Sequence, residues 1–245
     1  MAGSCARTEI LVGQLGLAQL AESHVLIAGL GGVGGACAEA LCRAGIGEIT
    51  LVDFDTIAKT DLNRQLVALH STLGQSKVDV MYERLHDINP DTIINKKHLF
   101  IDRAEAEAIA NDEDLTFVAD CIDAIAYKTV LIDTCNRNAM PIISSMGAGG
   151  RLDPTKVKIS RMDKTENCGL AREMRKQLRG IRASLKFSVV HSTETQIKAL
   201  PHEEVTKTEL APAGRPRAVN GAISYMPNIF GLMMAGYIIQ EILKK

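Results

Sequence analysis

The run His24-Val25-Leu26-Ile27-Ala28 passes directly into Gly29-Leu30-Gly31-Gly32-Val33-Gly34. A short apolar run of this kind reads as a strand buried on both faces. The glycines contain G-x-G-x-x-G, and Val33 to Ala44 continues as a small-residue helix that Gly45 stops. Glycine lets backbone approach a phosphate closely, and a helix N-terminus offers unpaired N–H groups and a positive dipole. Ile49-Thr50-Leu51-Val52-Asp53 is the next strand, so strand, helix and strand fill one βαβ unit. Asp53 stands 19 residues after Gly34, where a carboxylate can take both hydroxyls of a ribose. The competing reading is a glycine turn packed for helix–sheet contact alone.

The same alternation continues. Ser76 to Ile88 is an amphipathic helix with Ser76 as its cap and Asn89-Pro90 as its end. Thr92 to Asn95 reads as a strand, Arg103 to Ala110 as a helix, and Leu115 to Ala119 as a buried strand running into Asp120 and Asp123. Ala124 to Asn138 is helical and Pro141 to Ser145 is a strand. This order predicts an α/β, Rossmann-like fold: a mainly parallel sheet with helices on both faces. Beyond Gly150, Val157 to Arg161 and Leu185 to Val190 read as strands around a basic helix, Leu170 to Leu178. Thr195 to Arg217, with three prolines, reads as an exposed crossing loop, and Pro227 to Leu243 as a closing helix with Pro at its start. A length of 245 residues allows one to two domains. The expected division is a nucleotide-binding unit over 1–150 and a C-terminal extension over 151–245 that completes the sheet and carries the basic and closing helices.

Cations near the loop speak to which nucleotide is bound. Asn63-Arg64 follows Asp53, and Lys77 opens the next helix. A triphosphate needs such cations, because its charge must be neutralised before in-line attack; a dinucleotide does not. Surface salt bridges are the plainer role for each cation alone. Asp123 falls past a strand's carboxyl end, where ligands of open α/β sheets sit. A lone carboxylate facing phosphates can hold Mg²⁺, with waters filling its octahedron. Asp120 and Asp123 also compete to cap the helix at Ala124; the cap goes to Asp120 or solvent, and the metal to Asp123.

The net charge of −1 means that any nucleic-acid contact must come from a local patch. One exists: Arg172, Arg175, Lys176, Arg179 and Arg182 fall close together, and the arginines step by three and four. They share one face if the helix runs past Gly180. Such a face can displace counterions from an RNA backbone. The six cysteines form no C-x-x-C pair, which removes zinc-ribbon and thioredoxin readings. The N-terminus has no apolar signal region, and Ile229 to Ile239 is too short to span a bilayer, so the expected setting is cytoplasmic, without integral membrane association.

The glycine loop, Asp53-Phe54-Asp55, Asn63-Arg64-Gln65, Lys77 and Asp120-Cys121-Ile122-Asp123 together resemble the ThiF/MoeB/ubiquitin-activating superfamily, which adenylates carboxylates with ATP. Within it the chain is most similar to the tRNA threonylcarbamoyladenosine dehydratase group. The finer likeness is carried by Arg7-Thr8-Glu9, Ile88-Asn89-Pro90, Ser144 to Gly150, Leu152-Asp153-Pro154-Thr155 and Ser192-Thr193-Glu194.

The resemblance implies ATP-dependent cyclodehydration of threonylcarbamoyladenosine in tRNA, with ATP and Mg²⁺ as cofactors. It implies that Gly29, Gly31, Gly32, Gly34, Asp53 and Asp55 line the nucleotide site, with Asp53 on ribose. Asn63, Arg64 and Lys77 would take the phosphates, and Asp123 the Mg²⁺. Arg7 would match an arginine that a partner subunit contributes, so a homodimer is expected; otherwise Arg7 is a charge on a frayed end. The catalytic set is then Arg7, Arg64, Lys77 and Asp123, with tRNA as substrate. One departure stands out: relatives that activate sulfur carriers hold zinc with two C-x-x-C pairs, whereas this chain has one cysteine, Cys168, after position 135. Cys168 is the one candidate for a thiol relay, or else a small residue capping a helix. Three other readings stay open on sequence alone: activation of a sulfur-carrier protein, a nicotinamide dehydrogenase, and a non-catalytic RNA-binding or scaffold protein that kept a nucleotide site. Whether a sulfur-transfer partner exists is open as well.

Overall fold

The computed structural model describes residues 5–198, 200 and 221–244. Most of the expected crossing loop and the stretch Ala218 to Asn220 lie outside the described residues. Helix α1 (Ala6–Ala21) leads into β1 (His24–Ala28), α2 (Gly32–Ala44), β2 (Glu48–Val52), α3 (Lys77–Ile88) and β3 (Ile93–Lys97). Then follow α4 (Arg103–Ala110), β4 (Phe117–Asp120), α5 (Ile125–Arg137), β5 (Ile142–Ser145), β6 (Val157–Arg161), α6 (Gly169–Gly180), β7 (Ser188–Ser192) and α7 (Tyr225–Ile242).

The seven strands form one sheet in the order β3-β2-β1-β4-β5-β7-β6. All neighbours pair in parallel except β6, which runs antiparallel to β7 at the edge. Every residue of β1 is buried, as an unbroken apolar run requires of a central parallel strand. The strand order reverses between β1 and β4. That reversal opens a crevice at the carboxyl ends of the strands, where the glycine loop after β1 meets the segment after β4.

The expected elements appear within a few residues of their forecast bounds. Ser76 caps α3 by accepting the Asp79 N–H at 3.3 Å. Pro227 lies in the first turn of α7, two residues inside its start. Helix α1 has no counterpart among the expected elements. It breaks at Gly13, whose φ of 74° leaves the helical region. Three of its large apolar side chains, Ile10, Leu11 and Leu15, face away from the core.

Helix α7 reaches back to the start of α2. A Cβ on Gly231 would lie 2.1 Å from the Val33 carbonyl oxygen, so the two helices touch through backbone. The buried side chains Phe230, Met234 and Ile238 fill one core layer with Leu30, Leu41 and Met81. The last helix therefore fixes where the glycine loop ends.

Candidate functional site

Gly29-Leu30-Gly31-Gly32-Val33-Gly34 turns sharply from β1 into α2. A Cβ on Gly34 would meet the Gly29 carbonyl oxygen at 1.7 Å, so no other residue fits there. At Gly31 a Cβ would find only the Gln65 Nε2, 3.9 Å away. Gly31 therefore presents backbone to open space, as close approach of a phosphate demands.

Asp53 follows β2 and holds this loop. Its Oδ2 accepts the Leu30 N–H at 2.6 Å and its Oδ1 accepts the Asp55 N–H at 2.8 Å. Burial pushes its carboxyl above the ordinary aspartate value, against the opposing pull of Lys77 and the two N–H donors. Such a carboxylate gains from a further pair of donors, and the hydroxyls of a ribose supply them. Lys77 opens α3 with its side chain nearly buried and its Nζ 3.0 Å from Asp55 Oδ2.

The one cation of the Asn63-Arg64-Gln65 turn, Arg64, is pinned from behind. Arg64 donates to the Thr60 carbonyl at 2.7 Å and to Asn63 Oδ1 at 3.0 Å, and lies 3.4 Å from Asp61 Oδ1. Gln65 Nε2 donates to the same Asp61 oxygen at 2.6 Å. The turn is tied to the C-terminal third as well: Asn63 donates to the Ala222 carbonyl at 2.9 Å, and Asn228 of α7 donates to the Arg64 carbonyl at 3.2 Å.

Asp123 is exposed, just past β4, and its carboxylate has no hydrogen bond or ion pair among the described residues. The cap expected from Asp120 is not there. Helix α5 begins at Ile125 with Ala124 in the cap position and no side-chain cap. Asp120 is instead wholly buried, paired with the equally buried Lys128 at 2.7 Å and accepting the Ser144 hydroxyl at 2.6 Å. Lys128 also donates to the Ile122 carbonyl at 2.9 Å, fixing the turn that carries Asp123. Among the described residues no group of three or more His, Cys, Asp or Glu converges as a metal cage. One unpartnered carboxylate just past a strand's carboxyl end is nonetheless a donor of the kind Mg²⁺ uses when phosphates and waters complete its shell.

An aromatic cluster borders this crevice without having been expected. Phe54, next to Asp53, packs edge-on against Phe100 with centroids 4.6 Å apart, and Phe100 packs edge-on against Tyr127 at 4.0 Å. All three remain partly exposed. They come from three loops and helices, so no local pattern announced them.

Arg7 lies in the first turn of α1, exposed, with no partner among the described residues for its guanidinium. The basic face is smaller than expected. Helix α6 ends at Gly180, and Arg182 has left it with a φ of 59°. Arg175 is half-buried and donates to the Thr165 carbonyl at 3.1 Å, which turns it off the shared face. Arg172, Lys176 and Arg179 stay exposed together. Cys168 is buried, and its sulfur accepts the Ala171 N–H at 3.4 Å as the cap of α6. Among the described residues no two cysteines are joined by a disulfide.

A mainly parallel sheet with a glycine loop at the strand-order reversal and an acid after β2 that holds this loop defines a Rossmann-like nucleotide-binding protein. The chain belongs to the ThiF family, which matches residues 6–245. A tRNA threonylcarbamoyladenosine dehydratase of Bacillus subtilis is 38% identical over 244 residues, covering 97% of this chain and 94% of that protein. The Escherichia coli molybdopterin-synthase adenylyltransferase is 39% identical over 134 residues, covering 55% of this chain and 52% of that protein. Among solved structures, E. coli tRNA N6-threonylcarbamoyladenosine dehydratase in complex with ATP superposes with a TM-score of 0.86 at 30% identity, covering 98% of this chain and 94% of that one.

Proposed function

We propose that this chain catalyses the ATP-dependent cyclodehydration of threonylcarbamoyladenosine in tRNA. One observation carries the reading: likeness to the dehydratase runs through the C-terminal third, whereas likeness to the sulfur-carrier adenylyltransferase spans only 55% of the chain. The threonyl carboxylate is a poor electrophile because its leaving group would be oxide or hydroxide. Its oxygen attacks the α-phosphorus of ATP, the bond to the β-phosphate breaks, and pyrophosphate leaves. The ureido group of the same nucleoside then attacks the acyl carbon. AMP departs with the carboxylate oxygen, and a proton is released.

In this scheme the backbone of Gly29, Gly31, Gly32 and Gly34 cradles phosphate, and Asp53 holds the ribose. The Phe54–Phe100–Tyr127 cluster offers the adenine a stacking face. Asn63, Arg64 and Lys77 face the phosphates, with Asp55 as the resting partner of Lys77. Mg²⁺, when bound, supplies charge neutralisation at the phosphates, and Asp123 is the residue that would hold it. Preorganised cations of this kind act where charge develops in the transition state. The cyclisation needs no enzyme nucleophile, which leaves Cys168 its capping role, and a sulfur-transfer partner would serve a step outside this ring closure.

Arg7 acts in the site of a second copy. The three exposed apolar side chains Ile10, Leu11 and Leu15 on the same helix are the surface a homodimer would cover. Residues 1–150 do the adenylation, and 151–245 complete the sheet and present Arg172, Lys176 and Arg179 to the RNA. Among the described residues no helix is long and apolar enough to cross a membrane, in keeping with work on cytoplasmic tRNA. The test is incubation with ATP, Mg²⁺ and tRNA bearing the modified nucleoside, followed by nucleoside mass analysis. Loss of one water is expected; an unchanged nucleoside mass contradicts the reading.

A further inference from the structure

One surface hollow lies apart from the glycine loop. It is an open groove of about 390 Å³ between α4, the end of α5 and the turn after α6, lined by Arg103, Asp133, Asn136, Arg137, Arg182 and Ser184 among others. Three of those residues are arginines and one is an acid. Arg137 is already neutralised, 3.1 Å from Asp133 and 3.6 Å from Glu107. The guanidinium groups of Arg103 and Arg182 have no partner among the described residues. Asn136 adds a third unmet donor, its Nδ2 lacking any acceptor.

Both free arginines stand where helix physics prefers something else. Arg182 occupies the left-handed position that closes α6, with the Ala183 N–H reaching back to the Leu178 carbonyl at 2.8 Å. Glycine is the usual residue there, and a side chain at φ 59° is strained. Arg103 is the first residue of α4, directly after the cap Asp102, where the helix dipole repels a cation. Two unfavourable placements converge on one groove, and strain of this sort collects at functional sites.

We infer that this groove seats a backbone phosphate of the RNA substrate, held by Arg103 and Arg182. The inference rests on the tRNA reading above. Exposed Arg172, Lys176 and Arg179 lead along α6 to Arg182, so the groove ends a continuous basic track rather than standing alone. An open groove at the end of such a track suits a chain of phosphates better than a single small anion. It also lies at the far end of α5 from Asp123, about 20 Å along the helix axis, which a nucleic-acid chain bridges in a few nucleotides.

Arg182→Gly and Arg103→Gln separate this role from folding, because each puts a better helix-end residue in place. Both variants are expected to melt at or above the wild-type temperature and to keep the wild-type KM for ATP. The tRNA dissociation constant should rise about tenfold. The slope of its logarithm against log salt should fall by roughly 0.7–0.9 for each phosphate that the variant leaves unneutralised. Wild-type slope and affinity in both variants, with wild-type protein binding and dehydrating tRNA normally, would overturn the groove assignment alone. So would loss of inorganic phosphate binding with tRNA affinity unchanged. Wild-type protein that neither binds nor dehydrates tRNA would overturn the underlying reading instead, and this inference with it.

Discussion

Lys128 Nζ lies 2.7 Å from Asp120 Oδ2 with both side chains wholly removed from water. The lysine stands in α5 and the aspartate ends β4, so the pair clamps the turn between them. The Ser144 hydroxyl also donates to Asp120 Oδ2, and the Ile122 N–H donates to its Oδ1. Asp123 projects from this clamped turn, and its position depends on it. Removing one partner strands a buried charge; removing both does not.

Lys128→Met should therefore destabilise the protein by about 3–5 kcal/mol, as breaking a buried pair does. The double variant Lys128→Met/Asp120→Asn should recover part of that loss. Urea unfolding of the three proteins measures the difference. Equal stability of single and double variants would show that the pair is not the source.

Asp53→Ala removes the acceptor for the Leu30 N–H as well as the proposed ribose contact. Charge-assisted hydrogen bonds contribute about 1.5–3 kcal/mol each, so the KM for ATP should rise roughly tenfold to a hundredfold. Titration calorimetry with ATP gives the same comparison without turnover. Unaltered affinity would remove Asp53 from the nucleotide site.

Asp123→Asn should leave stability within about 0.5 kcal/mol of wild type, because the carboxylate is exposed and unpartnered. Activity at saturating ATP should fall by roughly a hundredfold or more, with a higher Mg²⁺ concentration needed for half-maximal rate. Melting and Mg²⁺ titration together check both halves of this statement. A variant with wild-type Mg²⁺ dependence would take the metal away from this residue.

His191 is buried in β7, and its Nε2 lies 2.9 Å from the Ser160 Oγ. Burial holds its imidazole below the ordinary value of 6.5. The unfolded chain therefore binds a proton that the folded protein resists. Its contribution to stability is whole above about pH 6.5 and is lost as pH falls through 6.5 toward the depressed folded value. His191→Gln should show a flatter decline of melting temperature between pH 7.5 and pH 5 than wild type. Identical slopes would mean that this histidine titrates alike in both states.

Burial also pushes the thiols of Cys37 and Cys135 up to about 12. At pH 8 they are not thiolates and should resist iodoacetamide in the native protein. Peptide mass mapping reads the result, and dehydration activity should survive the treatment. Alkylation of either residue without unfolding would contradict their placement in the core.

The sheet was legible in sequence wherever burial leaves an unbroken apolar run. His24–Ala28 matches the expected strand residue for residue. Val157–Arg161 matches as closely, but as an edge strand of half-buried and exposed residues rather than a buried apolar run. The glycine loop was legible because only backbone fits between Gly29 and Gly34. Two motifs that carried the family likeness turn out to brace each other: Glu194 accepts the N–H groups of Leu152 and Asp153, each at 3.0 Å. Helix α1 was hidden because Gly13 breaks it and its large apolar residues do not form a stripe toward the chain's own core. The role of Asp120 was hidden because its partner, eight residues on, folds back beneath the turn, which no local cap pattern encodes. Arg182 was misplaced because Gly180 permits either a longer helix or a left-handed close, and the choice is made by packing. Strand pairing partners leave no mark on local composition, so the insertion of β7 between β5 and β6 had to be seen.

In the proposed reaction the threonyl carboxylate becomes reactive by attacking the α-phosphorus of ATP. Labelling that carboxylate with heavy oxygen and following the label through one turnover tests it directly. Adenylation followed by ring closure puts one labelled oxygen into AMP. Label found in inorganic phosphate, or in water with AMP unlabelled, would contradict the account.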